Sequence, residues 1–208
     1  MLKLYYAPGS CALATHLVLS EVGADYEAIR VDFAAGQQRS PEYLAVNPKG
    51  RVPALVTDRG VLTENPAVLL YLAQIFPSAG LAPLDDPFAL AEVQSFNSYL
   101  CSTVHVAHAH GSRGARWVDS QAALDDMKRK VPQTMTDCFT LIESEYLRGP
   151  WVMGEQYTIC DPYLYTITRW LERDGVDRAR FPKVAAHHDR IEARPAVARA
   201  LAEHFAGT

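Results

Sequence analysis

No apolar run in this 208-residue chain approaches the roughly 20 residues that a membrane helix needs. The start, Met-Leu-Lys-Leu-Tyr-Tyr, lacks the charged head and long apolar stretch of a signal peptide, so a cytoplasmic location is expected. Cysteine is scarce. Cys11, Cys101, Cys138 and Cys160 are far apart and form no C-x-x-C pair, which excludes a zinc ribbon or a disulfide framework and reads as reduced thiols. A basic excess is missing too: the formal charge is −4, and the arginines between Arg169 and Arg199 are interleaved with Glu172, Asp174, Asp177, Asp189 and Glu192. That pattern is a solvated surface with local ion pairs, not a phosphate-binding face, and a nucleic-acid partner is excluded. Internal repeats and low-complexity segments are absent.

Hydrophobic residues make up 49% of the chain, enough for a core without staples. Two periodicities alternate over the first 80 residues. Leu2–Tyr6 and Tyr26–Asp32 read as strands around a helix from Cys11 to Val22, whose Leu13, Leu17 and Val18 share one face and which ends at Gly23. This is a βαβ unit, whose strands are expected to be parallel. After a short helix at 41–46, the segments 53–57 and 60–62 flank Asp58-Arg59-Gly60 as an antiparallel hairpin, and a helix over 66–76 opens on Pro66. A linker, Pro77 to Pro87, holds three prolines, a glycine and two aspartates. Beyond it the pattern is helical, with helices at 88–109, 120–147, 158–173, 182–193 and 196–205.

Three segments carry chemistry. Tyr5-Tyr6-Ala7-Pro8-Gly9-Ser10-Cys11 runs from a strand through a tight turn to a helix start, where the helix dipole and unpaired N–H groups favour a thiolate. Cys11 is therefore either a reactive thiol or a small packing residue, and Ser10 either a helix cap or a donor to a bound sulfur. Asn47-Pro48-Lys49-Gly50-Arg51-Val52-Pro53 is the second; a proline opening a strand is ordinarily trans, whereas a cis bond presents the Val52 backbone to a peptide-like ligand. In the third, Glu64 and Asn65 precede Pro66. They either cap that helix or hold an α-amino-acid end, the carboxylate taking an ammonium and the free N–H groups a carboxylate. His105, His108 and His110 invite a metal reading, but no cysteine or carboxylate completes a recognisable set and no metal is expected. Tyr6 is assigned to packing.

In this order and spacing the three segments resemble cytosolic glutathione transferases, and more narrowly the bacterial beta class with its cysteine near the N-terminus. The resemblance spans nearly the whole chain and includes Thr158-Ile159-Cys160-Asp161, a family signature in which Thr158 and Asp161 cap each other's backbone N–H groups. It implies an α/β thioredoxin-like N-terminal domain (1–78), a linker (79–87) and an all-α C-terminal domain (88–208), assembled as a homodimer. By it, Val52 precedes a cis Pro53 and pairs with the cysteinyl backbone of glutathione, while Glu64 and Asn65 hold the γ-glutamyl end. Cys11 faces the glutathione sulfur, His105 matches the family's histidine near that sulfur, and Ser98 and Ser102 lie on the ligand-facing stretch. Ser98 stands where the beta class commonly has asparagine, and Gln37-Gln38-Arg39 where a lysine often meets the glycyl carboxylate.

The implied enzyme is a glutathione S-transferase of the detoxification kind, using glutathione as co-substrate against small, mostly hydrophobic electrophiles. A free thiol has a pKa of about 8.5, and lowering it two units takes roughly 2.7 kcal/mol. Cys11, His105, Ser10 and the helix dipole are the expected sources. Tyr99, His108 and Trp117 are expected in the second-substrate wall. Two rivals stand beside this reading: thiol–disulfide exchange or peroxide reduction through Cys11, and a non-catalytic ligand-binding or regulatory module on the same fold.

Overall fold

The structure, a computed structural model, describes residues 1–206. Strand β1 (Leu2–Tyr6) turns Leu4 and Tyr6 inward and is followed by α1 (Ala12–Glu21) and β2 (Tyr26–Arg30). β1 and β2 are parallel, with Leu4 opposite Ala28. β2 stops short of Asp32 because the Asp32 carboxylate turns to accept the N–H groups of Ala34 and Ala35. After α2 (Pro41–Val46), β3 (Ala54–Thr57) and β4 (Gly60–Thr63) form the expected antiparallel hairpin. β3 pairs antiparallel with β1, Leu55 opposite Leu4, which gives the sheet order β2-β1-β3-β4. α3 (Asn65–Ile75) closes this stretch.

α1 departs from the one-faced helix that its sequence suggests. Every residue from Ala12 to Leu19 is buried, Thr15 and His16 included. It is enclosed because β1, α3 and the last helix, α9 (Pro195–His204), all pack against it. The Arg194 guanidinium forks onto Glu21 at 2.6 and 2.9 Å, and the Ser20 hydroxyl donates to the Ala196 carbonyl at 2.8 Å. The chain accordingly divides into a unit of Met1–Pro87 with the described residues from Ile191 onward, and a helical unit of Phe88–Arg190.

Within the helical unit, α4 (Pro87–Tyr99) passes through a π turn (Leu100–Val104) into α5 (His105–Arg113). α6 (Gln121–Leu141) ends in a second π turn, Ile142–Tyr146. α7 (Cys160–Thr168) is shorter than the expected 158–173, because the N–H groups of Trp170 and Leu171 reach back only three residues and tighten the chain into turns. α8 (Pro182–Glu192) follows. Asp161, fully buried, accepts the Thr158 N–H at 2.7 Å, the Val152 N–H at 2.8 Å and a bond from Nε2 of His187 at 3.0 Å. The capping is one-sided where reciprocity was expected: the Thr158 hydroxyl accepts from the Cys160 N–H, and the Asp161 N–H goes to the Thr158 carbonyl. Among the described residues no helix is long and apolar enough to cross a membrane.

Candidate active site

The turn after β1 delivers Ser10 and Cys11 to the start of α1. The Ser10 hydroxyl donates to the Ala7 carbonyl at 2.6 Å and its oxygen accepts the Ala12 N–H at 3.3 Å, so Ser10 caps the helix. Cys11 occupies the N-cap position, half-buried, and its own side chain caps nothing. Its thiol donates to the Val52 carbonyl at 3.4 Å.

Val52 is held there by a turn built from polar residues. Asn47, buried, donates from Nδ2 to the Arg51 carbonyl at 2.6 Å and accepts the Lys49 N–H at 3.2 Å. The Tyr43 hydroxyl from α2 donates to the same Arg51 carbonyl at 2.6 Å, and burial pushes its pKa up to about 12. Gly50 has a φ of 59°, and a β-carbon there would lie 2.8 Å from the Gln38 carbonyl oxygen, so only glycine fits. The Val52–Pro53 bond is cis. Sequence reasoning had no place for Asn47 or Tyr43; an asparagine opening Asn-Pro-x-Gly was the available signal.

At the start of α3 the two expected residues diverge. Asn65 is buried, its Nδ2 donating to the Cys11 carbonyl at 2.7 Å and its Oδ1 accepting the Thr15 hydroxyl at 2.9 Å. Its side chain therefore fastens α1 to α3. Glu64 caps nothing. It is exposed, its carboxylate 2.6 Å from Lys49 Nζ, which also reaches the Thr63 hydroxyl at 2.8 Å. Among the described residues Glu64 is the one non-glycine with a positive φ, 71°. A backbone held in such a region costs about 1–3 kcal/mol and concentrates at functional sites. The structure thus gathers Cys11, Val52 and Asn65, with Glu64 and Pro53 next to them in the chain.

Ser98, Ser102 and His105 lie on the other unit, around the π turn between α4 and α5. The Ser102 hydroxyl donates to the Ser98 carbonyl at 2.7 Å, and the His105 ring stands 5.0 Å from that of Trp170. The π turn, a feature that recurs at functional sites, leaves no mark in the local composition. Of the expected second-substrate wall, Tyr99 stacks on Tyr146 with ring centroids 5.3 Å apart and Trp117 is exposed beside His110. His108 is buried on Asp174, a carboxylate 66 residues away that no spacing rule connects to it. Tyr6 packs as expected, its ring against His16 and His204. Burial raises the thiol pKa of Cys138 and, well above the ordinary range, of Cys160, while Cys101 is half-buried.

A four-stranded mixed sheet with a cysteine at its first helix start and a cis proline across from it, followed by a helical unit, is the thioredoxin-like fold of glutathione transferases. Residues 1–74 match the glutathione S-transferase N-terminal domain and residues 115–204 the C-terminal domain. A glutathione transferase homologue from Sulfitobacter, solved with bound glutathione, is 46% identical over 98% of both chains with a TM-score of 0.95. Glutathione S-transferase GstA of Escherichia coli O157:H7 is 31% identical over 96% of this chain and 97% of its own. The beta class enzyme of Sphingomonas chungbukensis is 34% identical, with a TM-score of 0.85 and 98% of both chains covered. The chain belongs to the glutathione S-transferase family, and agreement along its full length makes it a transferase enzyme of that kind.

Proposed function

We propose that the N-terminal unit binds glutathione and activates its thiol for attack on a small, mostly hydrophobic electrophile. The observation that carries this reading is Glu64, held at a φ of 71° immediately before α3 with its carboxylate turned out of the fold. A strained backbone and a carboxylate that caps nothing suit an ammonium ligand at a helix start whose N–H groups take the adjoining carboxylate. The γ-glutamyl end of glutathione has that pair of charges. Glu64 and the backbone of Asn65 hold this end, the Val52 backbone beside Pro53 takes the cysteinyl residue, and Cys11 and Ser10 meet the sulfur. Ser98, Ser102 and His105 join the site by the resemblance. The Sulfitobacter homologue with bound glutathione supports the ligand, and the Sphingomonas enzyme supports the beta class.

The half-buried Cys11 favours thiol transfer as a second reaction. Its thiolate attacks the glutathione sulfur of a small-molecule–glutathione mixed disulfide, forming a protein–glutathione disulfide and releasing the small molecule as its thiolate; a glutathione thiolate then regenerates Cys11 and leaves as oxidised glutathione. The enzyme is further proposed to be a cytoplasmic homodimer of bacterial type serving detoxification, and light scattering at twice the chain mass tests the dimer. Isothermal titration with glutathione, followed by assay on aryl halides, epoxides and disulfides, tests the whole reading. Absence of glutathione binding overturns it in favour of a non-catalytic module.

A further inference from the structure

The helical unit holds a cavity of about 430 Å³, lined from three elements. α5 contributes His108, Gly111 and Ser112, α6 contributes Lys128, Val131 and Pro132, and the turns after α7 contribute Arg173, Asp174 and Gly175. The volume lies within the range of small-molecule sites. The chain is brought close here by Gly175, whose φ is 75° and whose added β-carbon would stand 3.3 Å from Pro132.

The polar groups of this cavity are built in an ordered way. Both oxygens of Asp174 lie 2.8 Å from Nδ1 of His108, and both side chains are about nineteen-twentieths buried. The His108 ring also stacks on Trp170, centroids 4.3 Å apart and planes 21° from parallel. The carboxylate takes the Nδ1 proton in a hydrogen bond, so that whenever the ring is neutral it is Nε2 that carries the lone pair. Nε2 has no protein partner among the described residues, on a side chain that lines the cavity. Lys128 and Arg173 line the same cavity, and neither has an ion pair or hydrogen bond among the described residues. The one carboxylate present, Asp174, is already engaged by His108. Two cations without an ion pair, the His108 ring and the apolar wall of Val131 and Pro132 are more than packing requires.

We propose that this cavity binds a small organic acid bearing a hydroxyl group, its acid group between Lys128 and Arg173 and its hydroxyl donating to Nε2 of His108. The site is built from residues other than the proposed glutathione contacts and does not depend on the transferase reading. The Asp174 contact makes the selectivity specific: the acid supplies charge attraction, and the hydroxyl donates to the lone pair that the neutral ring presents at Nε2.

The test is titration of the whole protein with 4-hydroxybenzoate, benzoate and phenol, followed by calorimetry and by tryptophan fluorescence, with Trp170→Phe identifying the reporter. The expected order is 4-hydroxybenzoate tightest, benzoate about 2- to 10-fold weaker for want of one hydrogen bond, and phenol weakest. The double variant Lys128→Glu with Arg173→Glu alters exposed side chains, keeps its fold and its glutathione affinity, and loses 4-hydroxybenzoate binding at least tenfold. Asp174→Asn, if folded, levels 4-hydroxybenzoate with benzoate, because His108 is then free to change tautomer; the charge-reversed variant carries the test if it is not. Failure of 4-hydroxybenzoate to bind at millimolar concentration, binding that survives the charge reversal, or phenol binding as tightly as 4-hydroxybenzoate each overturns the proposal. Glutathione binding retained in the same variant separates that failure from failure of the proposed function.

Discussion

Nδ1 of His16 lies 3.2 Å from Nδ1 of His204, both rings fully buried where α1 packs on α9. Nε2 of His16 is 3.0 Å from Glu203, and the Tyr26 hydroxyl donates to the same carboxylate. With Nε2 of His16 donating to Glu203, its Nδ1 must accept from His204, so one ring nitrogen in the pair has to stay unprotonated. Burial lowers the His16 pKa, and the Glu203 carboxylate only partly opposes it.

This arrangement sets a pH dependence of stability. An unfolded histidine titrates near 6.5, above the lowered folded value, so below about pH 6.5 the unfolded chain binds more protons. Stability is full above pH 6.5 and falls as pH drops toward the folded pKa, by up to about 1.4 kcal/mol per pH unit for this one group. Thermal unfolding between pH 8 and 5 measures the slope, and the His16 ring signals in NMR should titrate below 6.5. A His16 that titrates above 6.5 contradicts the prediction.

Glu64→Gly separates stability from binding. Glycine accepts a positive φ, so the variant gains the relief of about 1–3 kcal/mol of backbone strain and loses about 0.4–1 kcal/mol to a freer unfolded chain. The exposed ion pair with Lys49 adds little to stability. Its unfolding midpoint is expected to rise while glutathione affinity falls about 10- to 150-fold, the worth of a charge-assisted hydrogen bond. Denaturant titration and calorimetry read the two effects, and unchanged affinity would remove Glu64 from the γ-glutamyl site.

Asn65→Ala acts in the other direction. It leaves the Thr15 hydroxyl, fully buried, without its acceptor and frees the Cys11 carbonyl, at a cost of about 1–3 kcal/mol. Asn65→Asp, which keeps the acceptor for Thr15 but sets a second oxygen against the Cys11 carbonyl, should not recover that loss. Equal stability of the alanine variant and the parent would show that the tie between α1 and α3 is not stabilising.

Oxidised glutathione should label Cys11 in preference to the other three thiols. Cys138 and Cys160 are buried with raised pKa values, which leaves the half-buried Cys101 as the competitor. Cys101 lies in mid-helix, where no helix-start dipole favours its thiolate. Peptide mapping after labelling decides between them. In Cys11→Ala, thiol transfer should vanish while conjugation survives, because the attacking sulfur in conjugation belongs to glutathione.

Asp161→Asn tests the start of α7. The change disturbs a buried acceptor of two backbone N–H groups and of His187, so a loss of about 3–5 kcal/mol is expected. A melting point within a few degrees of the parent would show that His187 and the backbone find other partners.

What the sequence alone determined is whatever short-range periodicity and turn chemistry encode. The strands, the hairpin around Asp58 and Arg59, the helices opening on Pro41 and Pro66, and the segments bearing Cys11, Val52 and Glu64 follow from spacings of a few residues. Tertiary structure decided whatever depends on a distant partner. α1 carries Thr15 and His16 on positions that a one-faced helix would leave wet, and they are dry because α3 meets Thr15 with Asn65 and α9 returns some 180 residues later to meet His16. Asn65 reads equally well as a ligand contact or a tie until Cys11 and Thr15 are placed beside it. His108 looks like one of three clustered histidines until the turn after α7 sets Asp174 on its Nδ1. The physical reason is the same in each case: a backbone conformation is chosen largely by neighbours in sequence, whereas the partner of a buried polar group is chosen by where the rest of the chain comes to lie.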